Sequence, residues 1–82
     1  MAQWAQTAIS QLQTVIGLRI DGVSAMRGRD DGGKKLAIDV LEHARVPSSG
    51  DQLATYEVVL DGDGTLVSYE RVARYRRNQA GR

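Results

Sequence analysis

The sequence predicts an α+β domain in which one N-terminal amphipathic helix packs on a four-stranded antiparallel meander sheet. Three observations carry that expectation. Apolar residues recur at three- and four-residue spacing over about residues 3–16, the period then changes to two, and Asp-Gly clusters separate the later segments. The 82 residues allow one domain with one modest core, since a chain of this size buries only about 60 to 65% of its unfolded surface.

Trp4, Ala8, Leu12, Val15 and Ile16 gather on one stripe of the helix, while Gln6, Ser10 and Gln13 fall elsewhere on the wheel. Gly17 follows where a left-handed residue would end the helix. A first short strand is expected over about 22–28, limited by Asp21-Gly22 and Gly28. Asp30-Asp31-Gly32-Gly33 turns the chain into a second strand over about 34–45, with Leu36, Ile38 and Val40 as its core face.

Val46 to Asp51 holds the only proline, Pro47, and reads as a surface loop. A third strand follows over about 52–60, with Ala54, Tyr56, Val58 and Leu60 opposed to Thr55, Glu57 and Val59. Asp61-Gly62-Asp63-Gly64 closes a tight hairpin into a last strand over about 65–77. There, alternation of Val67, Tyr69, Ala73 and Tyr75 would put Arg71 on the apolar face, a conflict that a bulge near Arg71 would relieve.

The formal net charge of +1 gives no strong overall field for nucleic acid or an anionic membrane. Locally, Arg71, Arg74, Arg76, Arg77 and Arg82 crowd the last stretch. The absence of cysteine excludes disulfides, thiolate metal sites and thiol nucleophiles, and suits a reducing cytoplasm. The N-terminus has neither a basic n-region nor a continuous apolar h-region, and no apolar run is long enough to span a bilayer. The expectation is a cytoplasmic protein.

Motifs with a possible chemistry have simpler explanations. Counted from Asp61 as an EF-hand loop, the sixth position is Leu66 instead of glycine and the twelfth is Val72 instead of glutamate, so turn chemistry accounts for the aspartates. Gln13-Thr14-Val15-Ile16-Gly17 matches the Gln-x-Val-x-Gly pattern of cystatin-type inhibitors but falls on the helix end, where that family has a hairpin. His43, the sole histidine, forms neither a metal set nor a triad with Asp39 and Glu42. With no nucleophile elbow and no Gly-rich loop leading into a helix, the residues suggest no enzyme, no cofactor, no metal and no small-molecule substrate.

Arg71-Val72-Ala73-Arg74-Tyr75-Arg76-Arg77 interleaves arginines with an aromatic. Such a strand is either a contact surface for an acidic protein or RNA, or an edge protected from aggregation by charge. Near-neutral overall charge favours protein over nucleic acid. Arg71, Arg74, Tyr75, Arg76, Arg77 and, from the surface loop, Pro47 are therefore the candidate partner contacts. Tyr56 and Tyr69 read as core residues.

Val46-Pro47, Leu53-Ala54-Thr55-Tyr56-Glu57-Val58, Leu60-Asp61, Asp63-Gly64, Leu66-Val67-Ser68-Tyr69 and Arg71-Val72-x-Arg74-Tyr75 together resemble the signature of the gas-vesicle protein O family. Gly22-Val23-Ser24 and the strand ending in Glu42, Arg45, Val46 and Pro47 are also similar to it. The resemblance implies a cytoplasmic accessory protein, associated with the gas vesicle or its assembly, whose partners are other gas-vesicle proteins of the shell or accessory set. It implies no catalysis and no cofactor. Members often carry a charged extension before the helix, and this chain begins almost at the helix. Two other classes share the broad architecture or chemistry: a peptidase-regulating module, cystatin-like or resembling PepSY domains, and a small RNA-binding domain.

Overall fold

A computed structural model describes residues 4–79 and places one helix and four strands in the expected order. Helix α1 runs from Trp4–Ile16, and strands β1 to β4 cover Arg19–Gly28, Lys34–His43, Gln52–Leu60 and Leu66–Arg76. They form one antiparallel sheet in the order β1-β2-β3-β4. Gly17, at φ 69°, ends α1 with its N–H on the Gln13 carbonyl at 2.8 Å. Only a residue without Cβ adopts that φ without strain.

The core lies between α1 and one sheet face. Ala8, Leu12, Leu36, Ile38, Val40, Ala54, Val58 and Leu60 are fully buried, and Trp4, Ala5, Ile9, Ile16, Ile20 and Leu66 pack around them. A helix of 13 residues is marginal by itself in water, so tertiary burial maintains it. Each large side chain buried here contributes roughly 2 kcal/mol. Leu36, Ile38 and Val40 form the expected core face of β2. Val15 does not join the stripe: it is 49% exposed and lines a groove with Leu66 at the start of β4. Ala5 and Ile9 take its place.

The strand ends differ from the sequence expectation for specific reasons. β1 begins at Arg19, three residues before Gly22, because Asp21 and Ser24 are accommodated as bulges and the Asp-Gly pair does not stop the ladder. β2 ends at His43 instead of Arg45, whose N–H leaves the ladder to donate to Asp51 Oδ1 at 2.8 Å. β4 starts at Leu66, since the Thr65 N–H goes to Asp61 Oδ1 at 3.0 Å. It ends at Arg76, after which Arg77–Gln79 forms a 3-10 turn.

Both Asp-Gly hairpins are built as turn chemistry demands. Asp61 Oδ1 accepts from the N–H groups of Asp63 and Thr65, and Gly64 holds φ 85°. Asp61 thus serves its own loop. Gln13 to Ile16 form the last turn of α1, so the Gln-x-Val-x-Gly sequence is helix and cap, not a hairpin.

Candidate partner-contact surface

Bulges in β4 decide where its arginines point. β4 residues Arg71 and Ala73 face Tyr56 and Thr55, leaving Val72 as an extra residue, and Val67 is extra in the same way near the start. Across an antiparallel pair, directly opposed residues share a face. Arg71, Arg74 and Arg76 oppose Tyr56, Ala54 and Gln52, which alternate regularly along β3. All three arginines therefore stand on the α1 side of the sheet, although residues 71 and 74 would have lain on opposite faces of an unbroken strand. Tyr69 shares that side, while Ala73 and Tyr75 do not, so the four-residue alternation read from sequence is broken by the two bulges.

Arg71 and Arg74 converge on one carboxylate. Arg71 Nη1 donates to Glu42 Oε2 at 3.2 Å and Arg74 Nε to Glu42 Oε1 at 3.0 Å. Glu42 is the bulged residue of β2, between Leu41 and His43, and its side chain is only 11% exposed. The bonds pass over β3, where the small Ala54 opposes both Val40 and Arg74. With the arginine side chains about half exposed, each pair contributes about 0.5 kcal/mol at most to stability. Its larger effect is to order two guanidiniums side by side.

Arg77 and Tyr75 occupy the opposite side and are engaged within the chain. Arg77 Nη2 donates to Asp21 Oδ1 at 3.0 Å and Arg77 Nε to Asp51 Oδ2 at 3.2 Å. These bonds, that with Asp21 foremost, raise the guanidinium further above its already high value. Asp51 is buried, and its Oδ1 also accepts from the Arg45 N–H while its carbonyl accepts from the Arg77 N–H at 2.8 Å. Ser48–Gly50 forms a second 3-10 turn that meets the one at Arg77–Gln79. Beside Arg19, Asp21, Ser48, Asp51 and Arg77 lies a polar concavity of about 420 Å³.

Tyr75 is half-buried beside Leu53. Burial, with the nearby Asp39 carboxylate, pushes its phenol above the usual 10.0. Thr55 Oγ1 donates to the same carboxylate at 2.6 Å. Pro47 is exposed, follows a cis peptide bond and leads into the Ser48–Gly50 turn. The structure thus brings Arg71, Arg74 and Arg76 together and sets Tyr75, Arg77 and Pro47 apart from them.

Sequence reasoning missed Glu42 and Gln11. Glu42 becomes a partner of β4 only through its bulge, which no local pattern announces. Gln11 joins α1 to the β3–β4 hairpin: Nε2 donates to the Gly64 carbonyl at 2.6 Å and Oε1 accepts from the Leu66 N–H at 2.7 Å. Next to it, Ser10, Thr14, Val15 and Leu66 line an apolar groove of about 420 Å³. Tyr69 is 44% exposed, with its ring centroid 6.4 Å from that of Tyr56. Tyr69 is thus a surface residue, against the expectation, leaning on Tyr56, which is partly buried and packs against the core.

Among the described residues no helix is long and apolar enough to cross a membrane, and no group of three His, Asp or Glu could hold a metal ion.

The family model described as "Gas vesicle synthesis protein GvpO" matches residues 1–81. Gas vesicle protein O of Streptomyces sp. (strain CB03234) is 43% identical over 75 residues, covering 92% of this chain and 58% of the relative. Gas vesicle protein O1 of Halobacterium salinarum is 34% identical over 74 residues, covering 89% of this chain and 61% of the relative. Gas vesicle protein O of Haloferax mediterranei is 30% identical over 57 residues, 70% of this chain and 41% of that protein. The chain thus spans less than two thirds of the length of these relatives. No solved structure matches it.

Proposed function

The chain belongs to the GvpO family of gas vesicle synthesis proteins, and from that premise we propose that it is a cytoplasmic accessory factor that works by contact with other gas-vesicle proteins, without catalysis. The observation that carries this reading is the convergence of Arg71 and Arg74 on the shielded Glu42, with Arg76 on the same side. Ordered guanidiniums on an exposed strand suit recognition of carboxylates on a protein surface. Arg77 and Tyr75 serve in that reading as the support that holds the end of β4, and Pro47 as part of the loop beside it.

The test is replacement of the gene by an Arg71→Glu, Arg74→Glu version in a vesicle-forming host, with vesicles counted by electron microscopy. A tagged wild-type chain should recover gas-vesicle proteins from the same cells, and an Arg74→Glu, Arg76→Glu chain should lose them. Normal vesicle numbers with the Arg71→Glu, Arg74→Glu gene would reject this surface.

A further inference from the structure

The two outer strands of the sheet are unequal. Each carries two bulges, at Asp21 and Ser24 in β1 and at Val67 and Val72 in β4, but those of β1 leave it a single regular run, Ala25 to Gly28. β4 offers two regular four-residue runs, Ser68 to Arg71 and Ala73 to Arg76, on either side of Val72. Every residue from Val67 to Arg74 is exposed. An open edge of this kind presents main-chain donors and acceptors to an incoming strand.

Charge selects what that strand can be. Because Val72 is bulged out, Arg71, Arg74 and Arg76 stand opposite alternate residues of β3 and thus occupy successive places on one face. An added strand meets them with every second side chain. Two of these arginines share the single carboxylate of Glu42, which leaves one positive charge over. Glu70, the acidic residue of β4, opposes Glu57 on the other face and offers no relief. A second copy of β4 laid antiparallel would bring arginines toward arginines. An acidic strand would not.

At the other end of β4, the groove between Val15 and Leu66 opens beside the strand, with Tyr69 exposed between it and the arginines. An apolar residue four positions from the carboxylate that meets Arg71, and so on the same face, would reach it, since Arg71 and Leu66 oppose Tyr56 and Leu60 of β3. We infer that the free edge of β4 receives an extended acidic segment of another protein as a fifth strand, its alternate carboxylates meeting Arg71, Arg74 and Arg76 and an apolar residue entering the groove beside Leu66. This rests on the reading that the chain works by protein contact.

The test uses a short synthetic peptide in which glutamate alternates with valine and a leucine stands on the glutamate face, four positions from the glutamate that meets Arg71. Its controls are a lysine-for-glutamate peptide and the glutamate peptide N-methylated at alternate amides. Each is titrated into isotope-labelled protein and followed by amide chemical shifts. Saturable shifts concentrated in β4 are expected, with binding at least about tenfold weaker for both control peptides and for Arg71→Glu, Arg74→Glu protein. Arg71→Lys, Arg74→Lys protein should stay within about threefold of wild type.

Absence of saturable shifts, shifts centred on β1, or equal binding of the N-methylated peptide would overturn the fifth strand. Concentration-dependent β4 shifts without peptide would overturn it in favour of a second copy. If charge reversal abolishes vesicles in cells while the peptide leaves β4 unmoved, protein contact stands and strand addition falls. Normal vesicles with charge-reversed protein remove the contact reading itself.

Discussion

Glu42 and Arg74 meet at 3.0 Å although β3 lies between their strands. The pair exists because a bulge at Glu42 in β2 and another at Val72 in β4 bring both side chains to the same face over Ala54. A double-mutant cycle of Glu42→Gln and Arg74→Gln, read by urea denaturation, should give a coupling of about 0.2–0.5 kcal/mol. The coupling should shrink in high salt.

Asp51 is buried and accepts from both the Arg45 N–H and Arg77 Nε. Asp51→Ala should therefore cost about 2–3 kcal/mol, because it leaves a donor unpaired and releases the loop and the end of β4 together. In a domain of this size that is a fall of roughly 10 to 20 °C in Tm, measurable by circular dichroism.

Gln11 fastens α1 to the β3–β4 hairpin with both ends of its carboxamide. Gln11→Leu keeps the volume but removes both bonds, and should destabilise by about 1–3 kcal/mol. Amide hydrogen exchange at Leu66 should accelerate in that variant, while the hairpin at Gly32 stays as protected as in the wild type.

Gly33 is packed directly against the chain crossing it. A Cβ there would collide with the Leu60 carbonyl oxygen and lie 3.1 Å from Asp61 Cα. Gly33→Ala should cost about 2–3 kcal/mol in thermal unfolding. Gly22→Ala, where a Cβ meets nothing within 4 Å, should change stability far less.

Two titrations have a definite sign. The Asp31 carboxylate accepts from the Gly33 N–H, with Arg29 beside it, and titrates below the usual 3.8. Its contribution to stability is present above that unfolded value and is lost as pH falls through the lower folded one. Tyr75 runs the other way: burial and Asp39 raise its phenol above 10.0, so its contribution is complete below 10.0 and is lost as pH rises through the folded value. Comparing carboxyl shifts with Asp31→Asn, and phenolate absorbance with Tyr75→Phe, checks both directions.

The helix, the strand order and the two Asp-Gly hairpins were legible in sequence, because each rests on local chemistry: a stripe at helical spacing, β2 alternation from Leu36 to Val40, and aspartates that bond their own loops. The arginine surface was legible only as a list of residues. Its arrangement depends on where single residues drop out of register, at Glu42, Val67 and Val72, and neighbouring letters carry no signal for that. The same limit explains why Arg77 could not be told from Arg76. One stands where the strand ends and meets Asp21 and Asp51, while the other opposes Gln52 on the far side.

The bond from Arg77 to Asp21 joins the residue just after β4 to the bulge of β1, the two outermost strands. Strands at opposite margins of a four-stranded sheet lie about 14 Å apart at 4.8 Å per step, and each would ordinarily fray independently. Here a single guanidinium links the two margins at this end, so opening of one loosens the hold on the other. Exchange of β1 amides near Asp21 should accordingly quicken a little when Arg77 is replaced by Gln, as a loss at one margin is felt at the other.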